Sequence, residues 1–193
     1  RHAVLAEPLA AAIQTFELAP VFPGDHVVVL GAGRLGALIA QVARLRGARV
    51  IAVSRTEPKR KRARKLGCKH ALAPGPDLPA EVRKIAGPMG ADMVVEATGQ
   101  PDGLATALSL VRPRGTIALK TTCGLFAQLD VTRAVVAEVQ ISGPEGPAWK
   151  LIGIEDATSS RTRLEVHRPG MLSNATSAAS SLGLAASRSS TAG

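Results

Sequence analysis

Residues 26–36 read His26-Val27-Val28-Val29-Leu30-Gly31-Ala32-Gly33-Arg34-Leu35-Gly36, and the rest of the chain is ordered around them. Val27 to Leu30 is a short apolar run rich in β-branched residues, the pattern of a strand buried on both faces of a parallel sheet. Gly31 to Gly36 follows at once and completes G-x-G-x-x-G. Leu35, Leu38, Ile39, Val42 and Leu45 then recur at helical spacing. Strand, glycine turn and helix are the context in which this motif cradles a dinucleotide. In that reading Gly31 permits the tight turn, Gly33 lets a pyrophosphate approach the backbone, and Gly36 lets the helix pack close to the strand. The phosphates then meet the N–H groups around Arg34 and Leu35, at the positive end of the helix dipole.

Outward from this unit, strands and helices alternate. Glu7 to Phe16 predicts a helix with Pro8 in its first turn, and Pro20 to Asp25 is a turn-rich link. Arg49 to Val53 predicts a second strand and Lys69 to Ala73 a short third. The helix between them begins at a Thr56 cap and stops at Gly67. Pro79 to Ala86 is a short helix, Met93 to Ala97 a fourth strand, and Pro101 to Val111 a further helix. Arg112 to Gly115 turns the chain into a fifth strand, Thr116 to Leu119. Val131 to Ala137 is a short helix or turn before a sixth strand, Glu138 to Ser142. This rhythm implies an α/β fold with a doubly wound parallel sheet in the order 3-2-1-4-5-6. Beyond Gly143 the pattern breaks at Pro144-Glu145-Gly146-Pro147. The stretch from Thr158 onward, rich in Ser, Ala, Thr, Arg and Gly, reads as a poorly structured tail.

The 193 residues carry a net charge of +9, which brings nucleic acid into consideration. Three Phe, one Trp and no Tyr leave no base-stacking platform. Neither a membrane span nor a signal peptide is visible. Cys68 and Cys123 lie far apart, and His2, His26, His70 and His167 have no metal-ligand spacing. Both cysteines read as ordinary small residues, and the expected compartment is the reducing cytoplasm.

Ser54 ends the second strand, about 20 residues past the glycine motif, where an acidic side chain would bind ribose hydroxyls and select NAD. A neutral Ser54 followed by Arg55, with Lys59 and Arg60 a helical turn further on, favours the 2′-phosphate of NADP. The competing reading is a neutral replacement with NAD still in use. The run from Lys59 to Lys69 (KRKRARKLGCK) reads as a solvated helix face beside the cofactor, without a nucleic-acid reader motif.

With these pieces in order, the chain resembles the cofactor-binding domain of the zinc-type medium-chain dehydrogenases, in the branch of alcohol, polyol, sugar and threonine dehydrogenases. The resemblance rests on EPLAAAIQTF from Glu7, PGDHVVVLGAGRLG from Pro23, KLGCKHAL from Lys65, ADMVVEATG from Ala91, LVRPRGTIALKTT from Leu110 and VQISG from Val139. It implies a Rossmann domain over 23–143, preceded at 1–22 by a helix and linker from the junction with a catalytic domain and followed by an atypical tail at 144–193. It also implies that Ala97, Thr98 and Gly99, with Lys120 and Thr121, line the adenine-ribose and nicotinamide parts of NADP or NAD. Glu96 then helps to position its strand.

Zinc in full-length members polarises a small alcohol or polyol while a hydride passes to the nicotinamide. Glu7 is the only remnant of such metal chemistry, and one carboxylate cannot hold a tetrahedral zinc. The expected behaviour is therefore a dinucleotide-binding domain without catalytic residues of its own, with no zinc in this chain. The alternative is a non-catalytic nucleotide-binding module or an inactive truncated product. The change of composition after Gly143 is what a frameshift would leave. The resemblance also implies a homodimer through strand six. A short-chain dehydrogenase is disfavoured by the lack of any Tyr, and a methyltransferase by the lack of an acidic residue ending strand two.

Overall fold

The computed structural model describes residues 5–121 and 130–143 in full, and the backbone of 150–154 and 163–167. Strands β1 (His26–Leu30), β2 (Arg49–Val53), β3 (His70–Leu72), β4 (Ala91–Glu96), β5 (Val111–Leu119) and β6 (Gln140–Ser142) form one sheet in the order β3-β2-β1-β4-β5-β6. Each neighbouring pair is parallel.

Why β1 is apolar throughout follows from its surroundings. Val27 and Val29 join one buried cluster, and Val28 and Leu30 join another on the opposite face of the sheet. The first cluster takes in α1 (Ala6–Leu18) through Ala12 and Phe16, α2 (Arg34–Leu45) through Ile39, Ala40 and Ala43, and α3 (Glu57–Lys65) through Ala63. The second takes in α4 (Leu78–Ala86) through Leu78 and Val82, and α5 (Gly103–Leu110) through Leu104, Ala107 and Leu108. Val131 and Ala134 of the short α6 (Val131–Val136) pack against the second cluster. The sheet is covered on both faces, as a parallel sheet requires.

Helix α1 buries Phe16 to 1% exposure. The Arg46 guanidinium lies 5.7 Å from its ring centroid, donates to the Phe16 carbonyl at 3.1 Å and pairs with Glu17. Burying one such ring is worth roughly 1.5–3 kcal/mol. Helix α1 therefore shares the buried cluster on one face of the sheet.

Some elements depart from the sequence reading where backbone pairing outweighs local signals. Strand β5 begins at Val111 instead of Thr116. Val111 pairs with Ala91 and Thr116 with Met93, so Arg112 to Gly115 bulge out of the ladder without ending it. Arg114 takes φ +57 there. Thr56 occupies the cap position of α3, but its side chain makes no cap bond; the backbone carbonyl accepts from Lys59 and Arg60 instead.

Beyond β6, strands β7 (Lys150–Ile154) and β8 (Arg163–His167) form a two-stranded antiparallel hairpin, with Leu151 opposite Val166 and Ile152 opposite Glu165. The sequence reading places no strand in this stretch. The remainder of 144–193 lies outside the described residues.

Candidate dinucleotide site

Sheet order places the reversal of winding between β1 and β4, where ligands of open α/β sheets bind at the carboxyl ends. Those ends are laced together by the backbone. Ser54 N–H donates to the Leu72 carbonyl at 3.0 Å, and Gly31 and Ala32 N–H both donate to the Val53 carbonyl at 3.0 and 3.1 Å. Ala97 N–H donates to Leu30 and Lys120 N–H to Glu96, each at 2.8 Å. The rim is thus a continuous ledge along five strands.

The three glycines of the turn differ in what surrounds them. Gly31 has φ +101, and a Cβ there would stand 2.5 Å from the Ala97 carbonyl oxygen. It is excluded by conformation and by the next strand. A Cβ on Gly36 would overlap the Gly31 carbonyl oxygen, so this glycine sets how closely α2 approaches β1. A Cβ on Gly33 would meet nothing within 4 Å. The protein's own packing gives no reason for glycine at that position. Helix α2 starts immediately after it, and its first-turn donors are the N–H groups of Arg34, Leu35 and Gly36. The first intrahelical bond runs from Ala37 N–H to the Gly33 carbonyl at 3.0 Å. Arg34 is exposed at the mouth of this turn.

At the end of β2, Ser54 is 7% exposed while Arg55 and Lys59 are exposed. Arg60 behaves differently from the free cation expected of it. Its Nη1 donates to the Ser54 carbonyl at 2.6 Å and to the Arg55 carbonyl at 2.9 Å, and its Nε donates to Glu57 Oε2 at 2.8 Å. Glu57 also accepts from Arg64 Nη1 at 2.9 Å, and Arg64 Nη2 reaches the Ala71 carbonyl of β3 at 3.0 Å. Hydrogen bonds from Arg64 and Arg60 hold the Glu57 carboxyl below its ordinary range. The sequence reading gave Glu57 no part in the site. The available signal was its spacing of three and seven residues from two arginines on one helical face.

At the ends of β4 and β5, Glu96 is 2% exposed and accepts from Thr98 N–H at 2.8 Å and Thr98 Oγ1 at 2.5 Å. The carboxylate therefore shapes the Ala97-Thr98-Gly99 turn. Gly99, at φ +70, donates its N–H to Thr121 Oγ1 at 3.0 Å and so joins this turn to the Lys120-Thr121 segment. Burial pushes the Lys120 ammonium below its ordinary range.

Glu7 is exposed in the first turn of α1. Among the described residues no three His, Cys, Asp or Glu side chains come together. Cys68 is a free, buried thiol whose pKa is pushed up by burial. His2, Thr122 and Cys123 lie outside the described residues. No helix among the described residues is long and apolar enough to cross a membrane.

Residues 35–148 match the zinc-binding dehydrogenase family. Among curated proteins, the chain is 33% identical over 134 residues to sorbitol dehydrogenase of Halalkalibacterium halodurans, covering 68% of this chain and 38% of that protein. It is 36% identical over 127 residues to L-threonine 3-dehydrogenase of Pyrococcus furiosus, covering 65% and 35%. Among solved structures, a zinc-binding dehydrogenase of Sinorhizobium meliloti 1021 bound to NADP superposes with a TM-score of 0.66 at 29% identity, over 74% of this chain and 43% of that one. Benzyl alcohol dehydrogenase of Acinetobacter calcoaceticus gives 0.64 at 30% identity, over 72% and 41%. The chain spans less than half the length of each of these relatives.

Proposed function

Because the chain belongs to the zinc-binding dehydrogenase family, we propose that the sheet and its glycine turn hold NADP for an oxidoreductase acting on a small alcohol or polyol. The observation that carries this reading is the open space at Gly33 beside the first-turn N–H groups of Arg34, Leu35 and Gly36. The open space leaves the backbone there accessible to a pyrophosphate, and the helix dipole favours its charge.

The choice of NADP rests on the end of β2. Ser54 brings no carboxylate to repel a 2′-phosphate, and Arg55 and Lys59 are exposed cations beside it. An Arg fork suits phosphate geometry. We assign Arg55 and Lys59 to this phosphate, and read the basic run of α3 as a helix face beside the cofactor and not as a nucleic-acid site. Thr98, Gly99, Lys120 and Thr121 flank the path toward the nicotinamide, in the reading carried from the family resemblance. The bound nicotinamide supplies hydride acceptance. The chain's part is to hold and orient it.

For zinc the described residues do not fit. Glu7 is a single exposed carboxylate, and a tetrahedral site needs three or four donors. We further propose a second copy of the chain as partner along β6. That strand ends the sheet order, and Val135 and Val136 beside it are 69% and 78% exposed. A cytoplasmic location suits the free thiol of Cys68.

The test is a fluorescence titration of the full 193-residue chain with NADPH and NADH. Wild type should bind NADPH more tightly. Combining Ser54→Asp with Arg55→Ala should shift the affinity ratio toward NADH by roughly ten- to a hundredfold, the loss of one charge-assisted phosphate contact. Equal wild-type affinities, or an unchanged ratio in the double variant, would remove the NADP assignment.

A further inference from the structure

The three cations expected around the 2′-phosphate, Arg55, Lys59 and Arg60, are not equivalent in the folded chain. Arg55 and Lys59 are exposed, whereas the Arg60 side chain is 16% exposed and has its donors committed. Its guanidinium bonds two successive carbonyls, Ser54 and Arg55, and the Glu57 carboxylate. A group so occupied cannot turn to a phosphate without giving up several charge-assisted bonds.

The network continues past Glu57. Its other oxygen accepts from Arg64, whose far nitrogen bonds the Ala71 carbonyl on β3. The β2–α3 turn is therefore strapped to its own helix and to the neighbouring strand through a line of four side-chain links. Two consecutive peptide planes are fixed by this arrangement. Their carbonyl oxygens point at Arg60, so their partial negative charge is directed onto a cation and not toward an incoming phosphate. The Arg55 side chain projects from the Cα that joins those two planes, immediately before the Thr56 cap of α3.

We propose that Arg60, held by Glu57, is a positioning residue for cofactor selectivity: it sets the β2–α3 turn so that Arg55 and Lys59 present to the 2′-phosphate, and it does not contact the phosphate. This rests on the NADP reading of the same site.

Glu57→Gln separates the clamp from simple electrostatics by sign. Removing a negative charge beside a phosphate site strengthens phosphate binding if charge alone matters. Loosening the clamp weakens it. The expected result is a fall in the NADPH-to-NADH affinity ratio of roughly two- to tenfold, the worth of one or two hydrogen bonds. Arg60→Lys provides the second arm. Lysine keeps the charge but has no planar fork to span Glu57 and two carbonyls, so the ratio should fall about as far as in Arg60→Met. Were Arg60 a phosphate ligand, Arg60→Lys would keep most of the ratio that Arg60→Met loses.

The readout is the ratio, because a general loss of stability lowers both affinities together. A wild-type ratio near one removes the NADP reading and the clamp with it. A clear wild-type preference that Glu57→Gln leaves unchanged or strengthens overturns the clamp alone. Should Glu57→Gln fail to fold by circular dichroism, equal losses in the two Arg60 variants support the proposal and retention in Arg60→Lys overturns it.

Discussion

At the amino ends of β1 and β4, Asp92 accepts from His26 N–H at 2.8 Å and from Arg112 Nε at 2.7 Å. At the carboxyl ends of the same two strands, the N–H groups of Arg34, Leu35 and Gly36 open a helix with no preceding carbonyl to receive them. The middles of both strands, Val27 to Val29 and Met93 to Val95, are apolar and buried. What separates the two ends is whether the polar groups answer one another. Where they do, the interaction serves stability. Where they do not, the free donors define the kind of ligand the end can take.

The sharpest way to break this comparison lies within the glycine turn. Gly31→Ala meets both a positive φ and the Ala97 carbonyl, and should destabilise the fold by roughly 2–5 kcal/mol, as backbone strain and overpacking add. Gly33→Ala should leave stability within about 0.5 kcal/mol of wild type, because its Cβ enters open space. It should nonetheless weaken dinucleotide binding. Urea denaturation and cofactor titration of both variants decide the matter. Equal losses of stability would show that Gly33 serves the fold, and would undo the distinction between the two positions.

The next effect is at the opposite end. Asp92→Ala strands the Arg112 guanidinium and the His26 N–H, at a cost of about 1–2 kcal/mol, since both side chains keep partial contact with water. Burial pushes the Asp92 carboxyl up, but Arg112 and His26 outweigh it and hold the carboxyl below its ordinary range. Its folded-state pKa thus lies under its unfolded-state value. The stabilisation is complete above the unfolded-state value and is lost as pH falls through the lowered folded-state one. Denaturation across acidic pH should show a shallower loss in Asp92→Asn than in wild type. Cofactor affinity at neutral pH should not change. A parallel loss of affinity would mean that the two ends are coupled.

How much of this was legible in the sequence follows from the range of the interactions. The strand order and the glycine turn were readable because each depends on local pattern: apolar runs of strand length, glycines at fixed offsets, and helical spacing after them. The roles of Gly31 and Gly36 in the turn were readable for the same reason. Arg60 was not. Its residue type and position matched a phosphate ligand, but a guanidinium answers whichever acceptors lie nearest, and here these include two carbonyls of the turn before its helix, six and five positions back. The start of β5 at Val111 was hidden because Arg112-Pro113-Arg114-Gly115 has every mark of a turn, and only pairing with β4 shows that the ladder continues past it. The core contacts of α1 were hidden too, since the Arg46 bond to the Phe16 carbonyl spans 30 positions in sequence.

The smallest expected effect tests the carboxyl end where it does have a partner. Thr121 Oγ1 accepts from Gly99 N–H at 3.0 Å, the side-chain link between the turn after β4 and the segment after β5. Thr121→Val keeps the shape and removes the acceptor. An unmade hydrogen bond costs about 0.5–1.5 kcal/mol, and Gly99 is exposed, so water takes up the freed N–H and the loss falls to the bottom of that range. Global denaturation should therefore barely register the change. Amide exchange at Gly99 should instead quicken, because its protection rests on this one bond. Thr98 N–H, which donates to the buried Glu96 carboxylate, should keep its protection. If Thr98 quickens together with Gly99, the two turns open as one unit, and the carboxyl end is held by the whole ledge rather than by separate local bonds. If neither changes, the Thr121 contact has no part in ordering the rim, and the polar groups there are as free as those at the start of α2.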